Sequence, residues 1–431
     1  MSTAMAFNFS DNNINYTVLS EESRTAEVAS KYYSDYGTGR NNYSGDIRIP
    51  PKVIHDSKTY SITRIANRAF MCAYNVSSIQ LPNSITDIGD LAFSGCSKIA
   101  ALLIPSSVNH IGKSAFQYCE CLTSIIIPNT IDTIKYSTFA GCSKLTTITL
   151  PKNLAYIGNE AFQNCRDLET ISIPSSTTFI GERAFSYCSG LQAIEIPDSV
   201  TYLGSESFRY CISLTNIALS NSLDSISRAT FYDCHKLSSI TLPNSITSIG
   251  AEAFRNCTEL TSIDIPNSVI YIGYDTFNGC SKLTSLHIPN SVDSIGENAF
   301  HNCNKLDSIF CEGIAPPKAP NGAFEDNTLK GSLFVPKGSK KAYEAVDPWR
   351  NFWNIEEVTS GGINISTCHN DITVKVQNGT ITVCGAGYDT VVEIVDVSGN
   401  VVYTGQETTI EGLYSGLYIV KVGTKVTKVL I

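Results

Sequence analysis

Apolar positions through the middle of the chain recur with a period of 23 residues. A representative unit reads Leu260-Thr-Ser-Ile263-Asp-Ile265-Pro266-Asn-Ser-Val269-Ile-Tyr-Ile272-Gly273-Tyr-Asp-Thr-Phe277-Asn-Gly-Cys280. Its Leu-x-x-Ile-x-Ile segment ends in apolar/polar alternation, which predicts a short half-buried strand. Pro266 ends the strand because proline cannot donate to a ladder. The same proline recurs from Pro82 to Pro289 and is interrupted at Ser220. Asn-Ser then turns the chain, and Val269 and Ile272 point back inward. Gly273 is expected to support a tight bend. Lys135 and Ser227 replace it in two units, so a left-handed backbone is not obligatory there. Phe277 and Cys280 close the coil on its outer side.

Every twenty-third residue from Phe70 to Phe300 is phenylalanine, eleven in succession. A fixed period of this length predicts a solenoid in which each coil touches only its neighbours. A lone coil cannot offset the entropy of ordering its backbone; stacking buries both flat faces and makes folding favourable. The strands of residues 76–311 are therefore expected to form one parallel sheet of about eleven rungs, with the phenylalanines in one buried file opposite. Phe324 is one residue out of phase, so the array is expected to degenerate there.

Ten of the fifteen cysteines, Cys96 to Cys303, each follow a repeat phenylalanine by three residues. They form a column with neighbours about 4.8 Å apart. Parallel side chains keep their Cβ atoms near that spacing, beyond the roughly 3.8 Å a disulfide prefers. The column is expected to consist of reduced, buried thiols serving as small hydrophobes.

The flanks differ. Residues 1–61 alternate in short stretches and carry a Tyr-, Gly- and Asn-rich segment from Tyr32 to Tyr43, a hairpin-like cap with a mobile loop. Residues 62–311 are the repeats and 312–358 a second cap. There Ser339 is the expected N-cap of a short helix, and Trp349 and Trp353 form a lid on the last coil. Gly361-Gly362 reads as a linker. In 363–431, Asn378-Gly379 between two alternating runs signals a hairpin, and the further runs predict a small all-β sandwich. The hairpin register sets Thr373, not Cys368, opposite Cys384, so both cysteines are expected to be free.

Composition narrows the function. The net charge is −9 in 431 residues, and no basic patch speaks for nucleic acid. No apolar run approaches the roughly 18 residues of a membrane span. Ala4-Met5-Ala6 has the form of a cleavage site without an apolar region before it, which suits a nearly mature secreted chain or an ordinary N-terminus. His110, His235, His287 and His301 occupy four different phases, and His301 with Cys303 reads as a surface histidine beside a core thiol. Cys234 next to His235 points into the core. No metal, cofactor or catalytic centre is expected.

The free positions are on the strands. The residue between the last two apolar positions faces the concave surface and varies from coil to coil. Leu103 and Ile126 form an apolar pair, Glu195 lies mid-array, and Asp264, His287 and Phe310 form a mixed patch; these six are the candidate binding residues.

The pattern Leu-x-x-Ile-x-Ile-Pro…Ile-Gly-x-x-Ala-Phe-x-x-Cys resembles the BspA-like, treponemal-type leucine-rich repeat over roughly Ile62 to Cys311. Asp46-Ile-Arg-Ile49-Pro50-Pro51 to Ile65 resembles that family's N-terminal cap. The resemblance implies a right-handed leucine-rich-repeat horseshoe. It also implies a bacterial adhesion protein that contacts host matrix or cell-surface proteins. The tail resembles the sorting domain of the type IX secretion class in Ile394-Val-Asp396-Val-Ser-Gly399, Leu413-Tyr-Ser-Gly416-Leu-Tyr418 and Lys428-Val-Leu-Ile431. That implies an extracellular or outer-membrane-surface location, with the membrane involved only through attachment. A glycan-binding or nutrient-capture module is the alternative. It wants exposed aromatic platforms, and the variable column offers only Phe310.

Overall fold

The computed structural model describes residues 9–31, 41–324, 326–358, 373–377, 380–384, 392–396, 401–405, 409–410, 417–422 and 425–430. The chain divides into two compact units, Met1–Glu357 and Val358–Ile431.

The first unit is a β-solenoid of about 13 turns with little helix. All eleven phenylalanines are buried in one file. Successive ring centroids are 5.3–5.8 Å apart, with planes within 19° of parallel. That spacing exceeds the coil rise of about 4.8 Å, so the rings are offset, the arrangement their quadrupoles favour. Phe324 does not end the file. A backbone bridge pairs it with Phe300, the rings stack at 5.4 Å, and its one-residue phase shift is absorbed in the preceding loop. Trp349 and Phe352 close the file edge-on at 5.2 and 5.5 Å. At the other end Tyr43, predicted within the mobile segment, is buried against Phe70 at 4.7 Å; residues 32–40 lie outside the described residues.

The cysteine column is reduced and does more than fill space. Each of the ten thiols donates a hydrogen bond to the phenylalanine carbonyl one coil earlier, at 3.2–3.3 Å. That carbonyl also accepts the amide of the cysteine in its own coil: Phe93 O takes Cys96 N at 3.0 Å and Cys119 Sγ at 3.3 Å. Both lone pairs of a buried carbonyl are thereby used. The turn serine works similarly, since Ser268 Oγ donates to Ile246 O at 2.6 Å and Ser291 Oγ to Val269 O at 2.7 Å.

The Ile-Gly glycines do not serve a left-handed bend; none of them has positive φ. A Cβ at any of them would come within 2.3–2.9 Å of the preceding coil. Close approach is their role. It lets each glycine amide donate to the carbonyl one coil back at 2.7–2.9 Å. The two residues before the glycine then pair in parallel from coil to coil, as Tyr156–Ile157 does with Phe179–Ile180. This second ladder was not expected. It breaks twice, between His110–Ile111 and Thr133–Ile134 and between Tyr202–Leu203 and Ser225–Ile226. These are the coils in which Lys135 and Ser227 replace glycine. Ser227 Oγ donates to Leu203 O at 2.6 Å in place of the amide.

The Leu-x-x-Ile-x-Ile strands do not form the single continuous sheet expected. They pair in short groups: Ser44–Arg48 with Asn75–Gln80, Ser124–Ile126 with Thr147–Thr149, Ala193–Glu195 with Asn216–Ala218, and Ser285–Ile288 through Ser308–Cys311 and Ser332–Pro336 to Asn354–Val358. Isolated bridges such as Ala101↔Ser124 and Asp264↔His287 extend them.

In the N-terminal cap, Phe9–Asp11, Ile14–Ser20 and Thr25–Ala29 form an antiparallel meander whose last strand pairs in parallel with Lys58–Ile65. In the C-terminal cap, Ser339 precedes the helix Lys340–Glu344 as expected, but its hydroxyl donates to Pro336 O rather than capping the helix. The tryptophans part company. Trp349 is buried with Nε1 bonded to Pro317 O at 2.9 Å, as a lid should be, whereas Trp353 is 76% exposed.

The second unit has two antiparallel sheets. One holds Thr373–Gln377, Thr380–Cys384 and Thr409–Ile410; the other orders Val401–Gly405, Val392–Asp396, Leu417–Val422 and Lys425–Leu430. Gln377 pairs with Thr380 across the predicted hairpin, and Thr373 lies opposite Cys384. Cys368 and the thiol of Cys384 lie outside the described residues.

Candidate binding surfaces

The strand positions that vary between coils differ in how they meet solvent. Leu103 and Ile126 are 79% and 63% exposed and sit on adjacent coils joined by the Ala101↔Ser124 bridge. Glu195 is exposed at the edge of a depression of about 720 Å³ lined by Thr170, Ser172, Ala193 and Asn216. A second depression of about 480 Å³ shares Asn216 and Ala218 with it and reaches Asp264.

Asp264, His287 and Phe310 are contiguous, as expected, but do not stand free in solvent; all three are half-buried. The reason is the next coil. Phe310 stacks on Phe334 at 4.6 Å, and His287 Nε2 lies 3.5 Å from Glu312 Oε1, a contact that becomes an ion pair when the ring is protonated. His287 and Phe310 thus lie along the solenoid onto their neighbours, and of the six candidates Leu103, Ile126 and Glu195 are exposed.

Two surface features escaped the sequence reading. Glu206 is 3% exposed and accepts from Arg183 at 3.0 and 3.1 Å, Arg209 at 2.9 Å and Arg228 at 3.2 Å. Hydrogen bonds from Arg183 hold its carboxyl down at about 2, with Arg209 adding to them, and together they outweigh the opposing effect of burial. Arg209 also lies over the rings of Tyr232 and Tyr210 at 4.6 and 5.2 Å. The second feature is a ring ladder, the exposed Tyr156 and Tyr202 on either side of the half-buried Phe179, with centroids 4.4 and 4.7 Å apart. The signal for both was present: Glu160, Arg183 and Glu206 alternate in sign at the repeat spacing, and the three rings share one phase.

Among the described residues no group of three or more His, Cys, Asp or Glu is placed to hold a metal ion. No helix among them is long and apolar enough to cross a membrane. Burial pushes the Cys119 thiol up to about 12 and Cys234 higher still, which removes these column thiols as nucleophiles at neutral pH.

Comparison with known proteins accords with this architecture. Residues 63–192 and 178–307 match the BspA type leucine rich repeat region, and together they cover more than half of the 431 residues. A leucine-rich repeat protein from Bacteroides ovatus is 25% identical, with 82% of this chain and 100% of that one aligned at a TM-score of 0.58. A leucine rich cell surface protein from Faecalibacterium prausnitzii is 26% identical, with 80% and 98% aligned at a TM-score of 0.54. No curated protein matches. A repeat register held over eleven coils, the buried phenylalanine and cysteine files and this match have one reading: the chain belongs to the BspA-type leucine-rich repeat family.

Proposed function

We propose that this protein is a secreted or cell-surface binding protein that holds a protein partner, of the host matrix or a cell surface, against its strand face. The observation that carries the reading is the Leu103–Ile126 pair: two large apolar side chains, side by side and exposed, on a scaffold that buries almost every other isoleucine and leucine of its repeats. Proteins of this family are generally adhesion or protein-binding modules, and a similar solved structure is described as a cell surface protein. The second unit, with its likeness to type IX sorting domains, would direct export to the outer-membrane surface.

An array of host matrix and cell-surface proteins, probed with protein lacking residues 363–431, tests this. Leu103→Glu with Ile126→Glu should lose the strongest partner while keeping the parent's denaturation midpoint. Asp264→Ala with His287→Ala probes the other patch. Retention of parent-like binding by both double variants would sink the strand-face reading. Deleting 363–431 in the producing cell should abolish surface display.

A further inference from the structure

One coil departs from the repeat at two columns at once. Residues 212–234 carry Ser220 where proline recurs and Ser227 where glycine recurs. The glycine loss has a steric result, because at neighbouring glycines a Cβ would meet the adjacent backbone at 2.4–2.8 Å. The coil is therefore held off its predecessor along this ladder only, while the amides of Glu206, Phe208 and Tyr210 still donate across the junction at 2.8–3.0 Å. The pairing of Tyr202–Leu203 with Ser225–Ile226 is absent. The Phe208–Phe231 stack across this junction is 5.8 Å, the widest in the file.

The ring ladder ends at this junction. Tyr202 is 47% exposed, and one face of its ring packs on Phe179, 10° from parallel. The other face is directed along the solenoid toward the loosened coil, where the in-phase residues are Ser225 and then Ser248. Among the described residues no ring covers it. The opposite end of the ladder differs, because Tyr156 sits on the tightly paired Thr133. Asp224, exposed beside Ser225 and accepting its hydroxyl at 2.7 Å, supplies a carboxylate at the rim.

We propose that the free face of Tyr202, over the wedge opened by Ser227, is a binding platform for a pyranose unit of a neutral polysaccharide. A π face carries partial negative charge and attracts the weakly positive C–H face of a sugar ring, while the sugar's equatorial hydroxyls need acceptors and donors at the edge. Asp224, Ser225 and Ser248 provide them. A carboxylate at the rim and a net charge of −9 favour a neutral glycan over an acidic one. This site lies on a different segment of the coil from the strand face and does not depend on the partner bound there.

Native gels cast with hydroxyethyl cellulose, laminarin, galactomannan or polygalacturonate, run with the full chain, test it. The parent should be retarded by at least one of the three neutral polymers. Tyr202→Ala should run free. Ser227→Gly should also run free, because it closes the wedge while every ring remains. Tyr156→Ala should be retarded like the parent. The proposal is overturned by no retardation in the neutral gels, by retardation in polygalacturonate alone, or by Tyr202→Ala or Ser227→Gly behaving as the parent. Far-ultraviolet circular dichroism of each variant separates lost binding from lost folding.

Discussion

The two parallel ladders of the solenoid are built from the same coils and differ in what holds them. The Leu-x-x-Ile-x-Ile strands have the alternation of a sheet, yet pair only in short groups. The two residues before each glycine show no strand signal, yet pair from coil to coil wherever the glycine is present. Alternation decides which side chains are buried. Pairing additionally requires backbones about 4.8 Å apart, and along the second ladder the missing Cβ permits that approach. The comparison teaches that a column of small residues can specify a ladder as firmly as a column of apolar ones.

The first way to test the comparison is to strike the core that both ladders share. Phe208→Ala should cost about 3–5 kcal/mol. Phe300→Ala should cost about as much, because Phe324 stacks on it as another coil would. Denaturant titration measures both, and a clearly smaller loss at Phe300 would mean that the file ends there after all.

Next is the acid limb. The folded-state pKa of Glu206 is depressed, so its contribution is present above the unfolded value of about 4.3 and is lost as pH falls through about 2. Glu206→Gln should flatten the stability–pH curve in that window, by about 3 kcal/mol at most. A parent curve already flat there would contradict the arginine clamp.

Gly204→Ser should then cost about 1–3 kcal/mol by forcing a side chain against Glu182. It should also speed exchange of the residue 204 amide. Ser227→Gly should do the reverse, protecting its amide with little net change, since one hydrogen bond replaces another. Unchanged exchange in both would separate glycine from the ladder.

Smaller still, Cys165→Ala should lose about 0.5–1.5 kcal/mol, the net value of its hydrogen bond. Thiol labelling of native protein should reach the half-buried Cys72 and Cys121 before any member of the column. The Leu103→Glu, Ile126→Glu pair should shift stability by less than about 0.5 kcal/mol, because both side chains are already in water.

Much of this was legible in the chain because a solenoid turns phase into position. Residues at one phase stack, so Phe70 to Phe300 had to form a file and Cys96 to Cys303 a column. The Asn378-Gly379 hairpin was legible for a different reason: its register is local. The candidate site was read less completely. Leu103, Ile126 and Glu195 stand exposed as the alternation implied, whereas Phe310 and His287 lean onto Phe334 and Glu312, which belong to the following elements. Trp353 and Trp349 share a motif and ended in opposite environments.

What the sequence by itself determined was therefore everything that depends on phase: the period, the buried columns, the reduced thiols and the strand positions left free. What only the tertiary structure decided depends on the distance between coils: which ladder pairs, where Ser227 wedges it open, how Phe324 rejoins the file, and which Tyr202 face is left bare. The physical reason is that phase is a property of each residue's place in its own coil. The gap between coils is instead set jointly by every side chain that must fit within it.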